Sequence, residues 1–197
     1  MEMLKPLSEL KEPDSRQKLF VKLLPDESGL SYRPRTIEDN YANAEEICLC
    51  KVVPEEIKSH FATALNLVAY SWFYYPFNTT AQLMSYITVE KSLRYIFNND
   101  EKTPFKALLS LAVENGLVNE RGFSHRQVEE NLNPYLGVEL AVPDTMDYAE
   151  ALKEILPYLR NQIAHGETNL HPHGYIAVKI SAEIINQLFS NSTNESL

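Results

Sequence analysis

Hydrophobic residues between positions 54 and 190 recur at helical spacing and predict an all-α fold, a bundle of about five helices. Two segments show this period most clearly, and each presents one apolar face. In the segment before Gly166 the face consists of Tyr148, Leu152, Ile155, Leu156, Leu159 and Ile163, and in the last segment of Ile176, Ile180, Ile184 and Leu188. Because a helix buries such a face only against other elements, the pattern indicates helices packed around a common core.

Prolines, glycines and small polar residues indicate where these helices begin and end. Pro54, followed by two glutamates, is typical of a helix first turn, and Gly116 and Gly166 are typical stop positions. Pro157 interrupts the fourth helix and is expected to kink or restart it. Residues 117–143 give the least consistent pattern. The predicted helices span about 54–75, 78–97, 104–115, 145–165 and 176–189.

The first 53 residues follow no clear helical period and are predicted to form a loop-rich N-terminal extension. Residues 17–24 fit either a short strand or a helical turn, and residues 25–40 are rich in turn-forming residues and predict a loop. The predicted organisation is an extension at 1–53, a helical domain at 54–190 and a polar, flexible tail at 191–197.

The charge balance is acidic, with 27 acidic and 18 basic side chains and a formal net charge of -9. Indiscriminate binding to nucleic acid needs a basic surface that displaces counterions, so the composition argues against that class of protein. A small local cationic site is still compatible with it.

The sequence predicts neither a secretion signal nor a membrane-spanning segment. The N-terminus lacks a basic start followed by an apolar run, and residues 61–77 are too short and too polar to span a bilayer. Cys48 and Cys50 are too few for a secreted disulfide framework and are expected to be buried thiols. The predicted location is therefore a reducing cytoplasm, with no membrane partner.

An aromatic run, Trp72-Phe73-Tyr74-Tyr75, follows the first predicted helix. Such a run is expected to pack in the core or in a dimer interface. Stacking on nucleic-acid bases is the alternative.

Glu90 breaks the apolar stripe of the second predicted helix, which otherwise consists of Leu83, Tyr86, Ile87, Leu93 and Phe97. A buried carboxylate without a partner costs several kcal/mol, so Glu90 should be paired or functional. One interpretation is an ion pair with Arg94, four residues along the same helix. The other is a carboxylate that orients an arginine or histidine from a different helix.

Arg160, Asn161 and His165 stand together at the end of the fourth predicted helix. Arginine is a permanent planar cation with donors suited to phosphate, and histidine can take and give a proton near neutral pH. Together they suffice for cleaving RNA without a metal, with Arg160 stabilising the charge on phosphorus and His165 moving the proton. The plain alternative is a surface arginine and a histidine that gains from the negative end of the helix dipole.

The spacing of these residues adds a geometric constraint. Five residues turn an ideal helix by about 500°, so Arg160 and His165 lie about 140° apart. They reach one phosphate only through a bent helix end or through a second copy of the motif across a twofold axis. The spacing therefore predicts a homodimer with a composite site.

The segment Leu159-Arg160-Asn161-Gln162-Ile163-Ala164-His165-Gly166 resembles the signature of the HEPN superfamily of nucleotide-binding helical domains. That signature is an arginine, usually a polar residue, and a histidine after four to six intervening positions; here the polar residue is Asn161 and the gap is four. HEPN domains are helical bundles with the motif in their later half, and they often carry an acidic residue on an earlier helix, which Glu90 matches. The likeness covers about residues 54–190.

The resemblance implies metal-independent endoribonuclease activity, with no cofactor and no metal ligand. It gives His165 the role of general acid or base, Arg160 that of phosphate clamp, Asn161 a positioning role and Glu90 a supporting role. It also implies RNA as substrate, dimerisation through the motif-bearing face, and a role in phage defence or in a toxin–antitoxin pair with a protein regulator. The alternative is a catalytically inactive helical module that binds a protein partner or nucleotide.

Overall fold

The computed structural model describes residues 4–26, 29–98, 102–124, 148–166 and 174–192, and the chain is mainly helical, as the sequence predicts. None of the helices described is long and apolar enough to cross a membrane. Two antiparallel strands, β1 and β2, precede the helices. The elements in these ranges are β1 Val21–Asp26, β2 Gly29–Pro34, α1 Ile37–Glu45, α2 Glu55–Tyr70, α3 Phe77–Ile96, α4 Phe105–Glu114, α5 Tyr148–Ala164 and α6 Gly174–Ser192, with short 3-10 turns at Leu7–Glu9, Ser15–Leu19 and Glu120–Gly122.

Helix α3 is the centre of the bundle and packs against α2, α4, α5 and α6. Its contact with α6 is close because small residues meet there. The hydroxyl of Ser181 donates a hydrogen bond of 3.0 Å to the hydroxyl of Ser85, and both side chains are fully buried. At the start of α6, a Cβ on Gly174 would lie 2.6 Å from the Cβ of Asn78, so only glycine fits there.

The core is formed by the inward faces of these helices. Its largest fully buried side chains include Phe61, Phe123, Ile57, Leu93, Leu108, Leu109, Ile184, Ile185 and Leu188. Of the two predicted apolar faces, the one on α6 is buried at Ile184 and Leu188 but leaves Ile176 partly exposed. The face on α5 is buried at Leu152 and Leu156, whereas Ile155 is 48% exposed, so the prediction for Ile155 is wrong. On an ideal helix Ile155 lies about 100° from Leu156, at the margin of the buried arc.

Several helix ends agree with the sequence and two do not. Gly116 and Gly166 have left-handed φ angles of 71° and 91° and end α4 and α5 as predicted. Helix α5 continues through Pro157. Helix α2, however, ends at Tyr70 instead of about residue 75, because the hydroxyl of Ser71 donates to the carbonyl of Val68 and begins a turn. Helix α3 begins at Phe77, one residue before the predicted start, and its N-cap is Pro76, whose side chain cannot accept a hydrogen bond.

The predicted loop at 25–40 is wrong. Strand β2 pairs antiparallel with β1, from Val21 opposite Pro34 to Asp26 opposite Gly29. Prolines are tolerated because both strands of a two-stranded sheet are edges. Helix α1 follows at once, capped by Thr36 and Asp39, which accept each other's backbone N–H groups.

Asp39 joins the hairpin to α1. Its nearly buried carboxylate accepts hydrogen bonds from Lys22 Nζ at 2.7 Å and from Arg33 Nη1 and Nη2 at 2.5 and 2.8 Å. These cationic donors, together with the backbone N–H of Thr36, hold the pKa of Asp39 far below its usual range. The carboxylate therefore stays ionised and keeps both strands attached to the helix.

The N-terminal extension is attached to the turn between α2 and α3. The backbone N–H of Asp14 donates to the carbonyl of Trp72, and the carboxylate of Asp14 accepts from the backbone N–H of Tyr75, each at 2.9 Å. The side-chain amide of Asn40 donates to the carbonyl of Val68 at 2.9 Å. The extension thus packs against the helical domain through specific hydrogen bonds.

The two cysteines differ from the expectation of buried thiols. Cys48 is exposed and Cys50 is half-buried, both as free thiols in the segment between α1 and α2. The neighbouring Ile47 and Val53 occupy the core positions of that segment.

Substituting Asp39→Asn removes the charge that Lys22 and Arg33 share. We expect the free energy of unfolding to fall by about 1–2 kcal/mol at about pH 7. Because the pKa of Asp39 is lowered in the folded state, this contribution is complete above the unfolded-state pKa of about 3.9 and decreases progressively as the pH falls from there towards the lower folded-state pKa. Urea titrations at about pH 7 and about pH 3 should therefore give a smaller difference between variant and wild type at the lower pH.

The matched control is Glu45→Gln, which removes an exposed carboxylate from the same helix. We expect it to change stability by less than about 0.5 kcal/mol at either pH. An effect of Asp39→Asn that is equally large at both pH values would contradict the assigned role of the ionised carboxylate.

Candidate functional site

Glu90 lies on the face of α3 that meets α5, and its carboxylate is shared by two arginines. Oε1 accepts a hydrogen bond of 2.6 Å from Arg94 Nη2, and Oε2 accepts one of 3.0 Å from Arg160 Nη2. The Glu90 side chain is only 14% exposed. The two interpretations of Glu90 are thus both realised in the contacts, an ion pair within α3 and a bond to an arginine on another helix.

Arg160 is held in place by neighbours on two helices. One guanidinium nitrogen reaches Glu90 on α3, and the other, Nη1, donates to the Oδ1 atom of Asn161 at 3.1 Å. The Nε atom is buried and makes no hydrogen bond among the described residues. The side chain still exposes 32% of its surface, so the guanidinium is fixed on one side and open to solvent on the other.

Two guanidiniums, from Arg94 and Arg160, share the carboxylate of Glu90. Arg94 also donates to the carbonyl of Thr103 at 3.1 Å, which attaches it to the connection before α4. Arginine does not lose its proton in proteins, so both guanidiniums stay positively charged. The partly exposed guanidinium of Arg160 can therefore bind an anion such as phosphate.

His165 follows the last residue of α5 and is exposed. Its backbone N–H donates to the carbonyl of Asn161 at 2.9 Å, so the helical turn continues through His165 before Gly166 ends it. Asn161 and His165 are therefore neighbours four residues apart on one helical face. No hydrogen bond or ion pair fixes the His165 ring within the part of the chain that the structure describes.

The four predicted site residues are therefore connected in part. Glu90, Arg160 and Asn161 form one chain of hydrogen bonds. The His165 ring is outside this series of hydrogen bonds, and His165 is near it because it lies one helical turn after Asn161. Since Arg160 turns towards α3 and His165 lies on the exposed face of α5, the two side chains diverge, as helical geometry predicts.

Tyr158, a residue with no predicted role, shares the exposed face with Asn161 and His165. Its side chain is 60% exposed, and its hydroxyl accepts a hydrogen bond of 2.7 Å from Gln162 Nε2. Together with the exposed Ile155 one turn earlier, it places apolar surface next to the motif. The spacing from Tyr158 to Asn161 and His165, three and seven residues, was the available signal.

Comparison with known proteins adds no relatives: no protein-family model, no curated protein and no solved structure matches the chain. Membership of the HEPN superfamily stays a prediction that depends on the motif and the helical fold.

Removing the shared carboxylate should leave two arginines without their common acceptor. We expect Glu90→Gln to lower the free energy of unfolding by about 1–3 kcal/mol, because the remaining cations are partly buried. The matched control is Glu56→Gln, which removes the carboxylate from an exposed ion pair with Lys91. Because solvent screens such a pair, its loss should lower stability much less than the loss of the Glu90 carboxylate.

A double-mutant cycle in urea, combining Glu90→Gln with Arg160→Gln, isolates the bond between α3 and α5. We expect a favourable coupling energy of about 0.5–3 kcal/mol between the two positions. Strictly additive effects would show that Arg160 does not depend on Glu90.

Proposed function

We propose that the protein is a metal-independent endoribonuclease of the HEPN type. The observation that supports this best is the arrangement of Arg160, a motif arginine fixed by a nearly buried carboxylate and still open to solvent. A clamp on a transferring phosphoryl group needs a cation that is already oriented, because reorienting it would add to the barrier.

In this proposal Arg160 binds the scissile phosphate. Glu90 orients Arg160 while it also binds Arg94, so the carboxylate is shared between two guanidiniums. Asn161 holds the second terminal nitrogen of Arg160 and can also donate to a phosphate oxygen through its amide.

His165 handles the protons. As general base its imidazole removes the proton of the 2′-hydroxyl, the 2′-oxygen forms a bond to phosphorus, and the bond from phosphorus to the 5′-oxygen breaks. A proton returned to the 5′-oxygen completes the step. The products are a 2′,3′-cyclic phosphate and a 5′-hydroxyl, and the reaction requires neither a redox partner nor a bound metal.

We further propose that the active site is composite. Arg160 and His165 diverge on one helix, so a second copy placed against the exposed face of α5 can bring its His165 to the Arg160 of the first. Ile155 and Tyr158 provide apolar surface for that contact. The family resemblance adds the proposed setting, phage defence or a toxin–antitoxin pair with a protein regulator.

A second candidate function is a catalytically inactive helical module that binds a protein partner or nucleotide. The observation that favours it is the His165 ring, which none of the described residues orients. A histidine in general acid–base catalysis is usually oriented by a further group. In this alternative Arg160 binds an anion and no bond is cleaved.

The proposal predicts cleavage of a mixed-sequence RNA in excess EDTA. We expect His165→Ala and Arg160→Ala each to reduce the single-turnover rate by about 100-fold or more, since each removes a group that acts in the transition state. An all-DNA version of the substrate should stay intact, because it lacks the 2′-hydroxyl.

The matched control for the arginine is Arg121→Ala, which removes an exposed arginine outside the site. It should leave the rate unchanged. If the folded wild-type dimer leaves the RNA intact while Arg160→Ala weakens binding of the same RNA, the binding module replaces the nuclease. Cleavage that survives His165→Ala would refute the assigned roles.

The composite site predicts that two inactive variants restore activity when mixed. Each mixed dimer of Arg160→Ala and His165→Ala contains one complete site, with Arg160 from one chain and His165 from the other. Co-refolding the two chains should recover about a quarter of wild-type activity, because about half of the dimers are mixed and each has one of two sites. If both residues act within one chain, the mixture stays inactive.

A further inference from the structure

A groove with apolar walls lies between the N-terminal segment and the turn that joins α2 to α3. It has a volume of about 760 Å³, within the range of small-molecule sites. Its apolar and aromatic lining residues are Leu4, Leu10, Tyr70, Phe73, Tyr74 and Phe77. The aromatic run 72–75 is predicted to pack in the core or in a dimer interface. Trp72 and Tyr75 are buried in the protein, whereas Phe73 and Tyr74 line this groove.

The groove is open, and its apolar walls meet solvent. Leu4 and Tyr70 are largely exposed, and Leu10 is 49% exposed. Contiguous exposed apolar surface of this kind marks a binding site more often than a single exposed leucine does. The site lies on the turn at the start of α3, whereas Glu90 belongs to the second half of that helix.

Among the residues that the structure describes, the charged side chains that line the groove are Lys5 and Lys11. Lys5 Nζ donates to the carbonyl of Phe73 at 3.0 Å and to the carbonyl of Glu12, which leaves the third ammonium hydrogen for another acceptor. Lys11 is exposed. An acceptor that enters the groove therefore meets a cation that is already fixed by the backbone and a second one that is free to adjust.

We propose that this groove binds an amphipathic anion, an unbranched acyl chain that ends in a carboxylate. The aromatic and leucine side chains would cover the chain, and burial of each methylene group would add to affinity. The carboxylate would accept from Lys5 and Lys11 at the edge of the groove. A quaternary ammonium head group would gain the apolar contact without these hydrogen bonds.

The test uses the full-length protein and 11-(dansylamino)undecanoic acid, a probe whose fluorescence rises in an apolar site. Each competitor is kept below its own critical micelle concentration. We expect dodecanoate to displace the probe and dodecyltrimethylammonium to do so at least about tenfold less well. Equal displacement by both would overturn the proposal, because binding would then depend on the alkyl chain alone. Absence of any fluorescence rise would overturn it as well.

Two pairs of variants locate the site. Leu10→Glu and Lys11→Glu place negative charge at the groove and should each weaken probe binding by about tenfold. Leu19→Glu and Lys18→Glu change the same residue types at exposed positions of the same segment outside the groove and should leave binding unchanged. If Leu19→Glu weakens probe binding as much as Leu10→Glu, and Lys18→Glu as much as Lys11→Glu, the ligand binds elsewhere.

Circular dichroism of the variants separates loss of binding from loss of fold, since Leu10 and Lys11 make no core contact. The inference is independent of the proposed nuclease. Probe binding is measured without RNA, so an inactive protein can still confirm the groove, and an active nuclease can still fail to bind the acyl chain.

Discussion

A carboxylate that lies among apolar side chains has to be paired, and in this protein that constraint joins α3 to α5. Glu90 takes one hydrogen bond from its own helix and one from Arg160 across the interface. Desolvation of the three charged groups is offset only while all of them remain together, because removing one partner leaves an uncompensated charge. The same bond that stabilises the packing of α5 therefore fixes the orientation of the motif arginine.

The two residues proposed to act on phosphate and proton, Arg160 and His165, point in different directions from α5. Arg160 turns towards the bundle, where Glu90, which also binds Arg94, defines its position. Asn161 and His165 lie on the exposed face with Tyr158. The proposed reaction needs both groups at one phosphate, so their divergence on one chain is the physical basis for the proposed dimer.

The N-terminal extension contributes differently. Asp14 attaches it to the turn between α2 and α3, Asn40 attaches it to the last turn of α2, and Asp39 holds its hairpin against α1. The Leu4–Lys11 segment then covers one side of the aromatic turn without filling the space beside it, which creates the groove. The extension is thus packed on the helices through specific contacts. The groove beside it is apolar with two lysines, whereas the site at Glu90 is polar with two arginines.

The sequence by itself determined the features that depend on neighbouring residues. These are the helical period, the stops at Gly116 and Gly166, the misfit of Glu90 in an apolar stripe and the divergence of Arg160 from His165, all of which follow from the fixed geometry of a helix. Tertiary structure decided which partners Glu90 takes, because an arginine seventy positions away becomes a neighbour only when α3 and α5 pack. It also decided the hairpin at 21–34 and the exposure of Ile155, since cross-strand pairing and the width of a buried arc depend on what lies opposite.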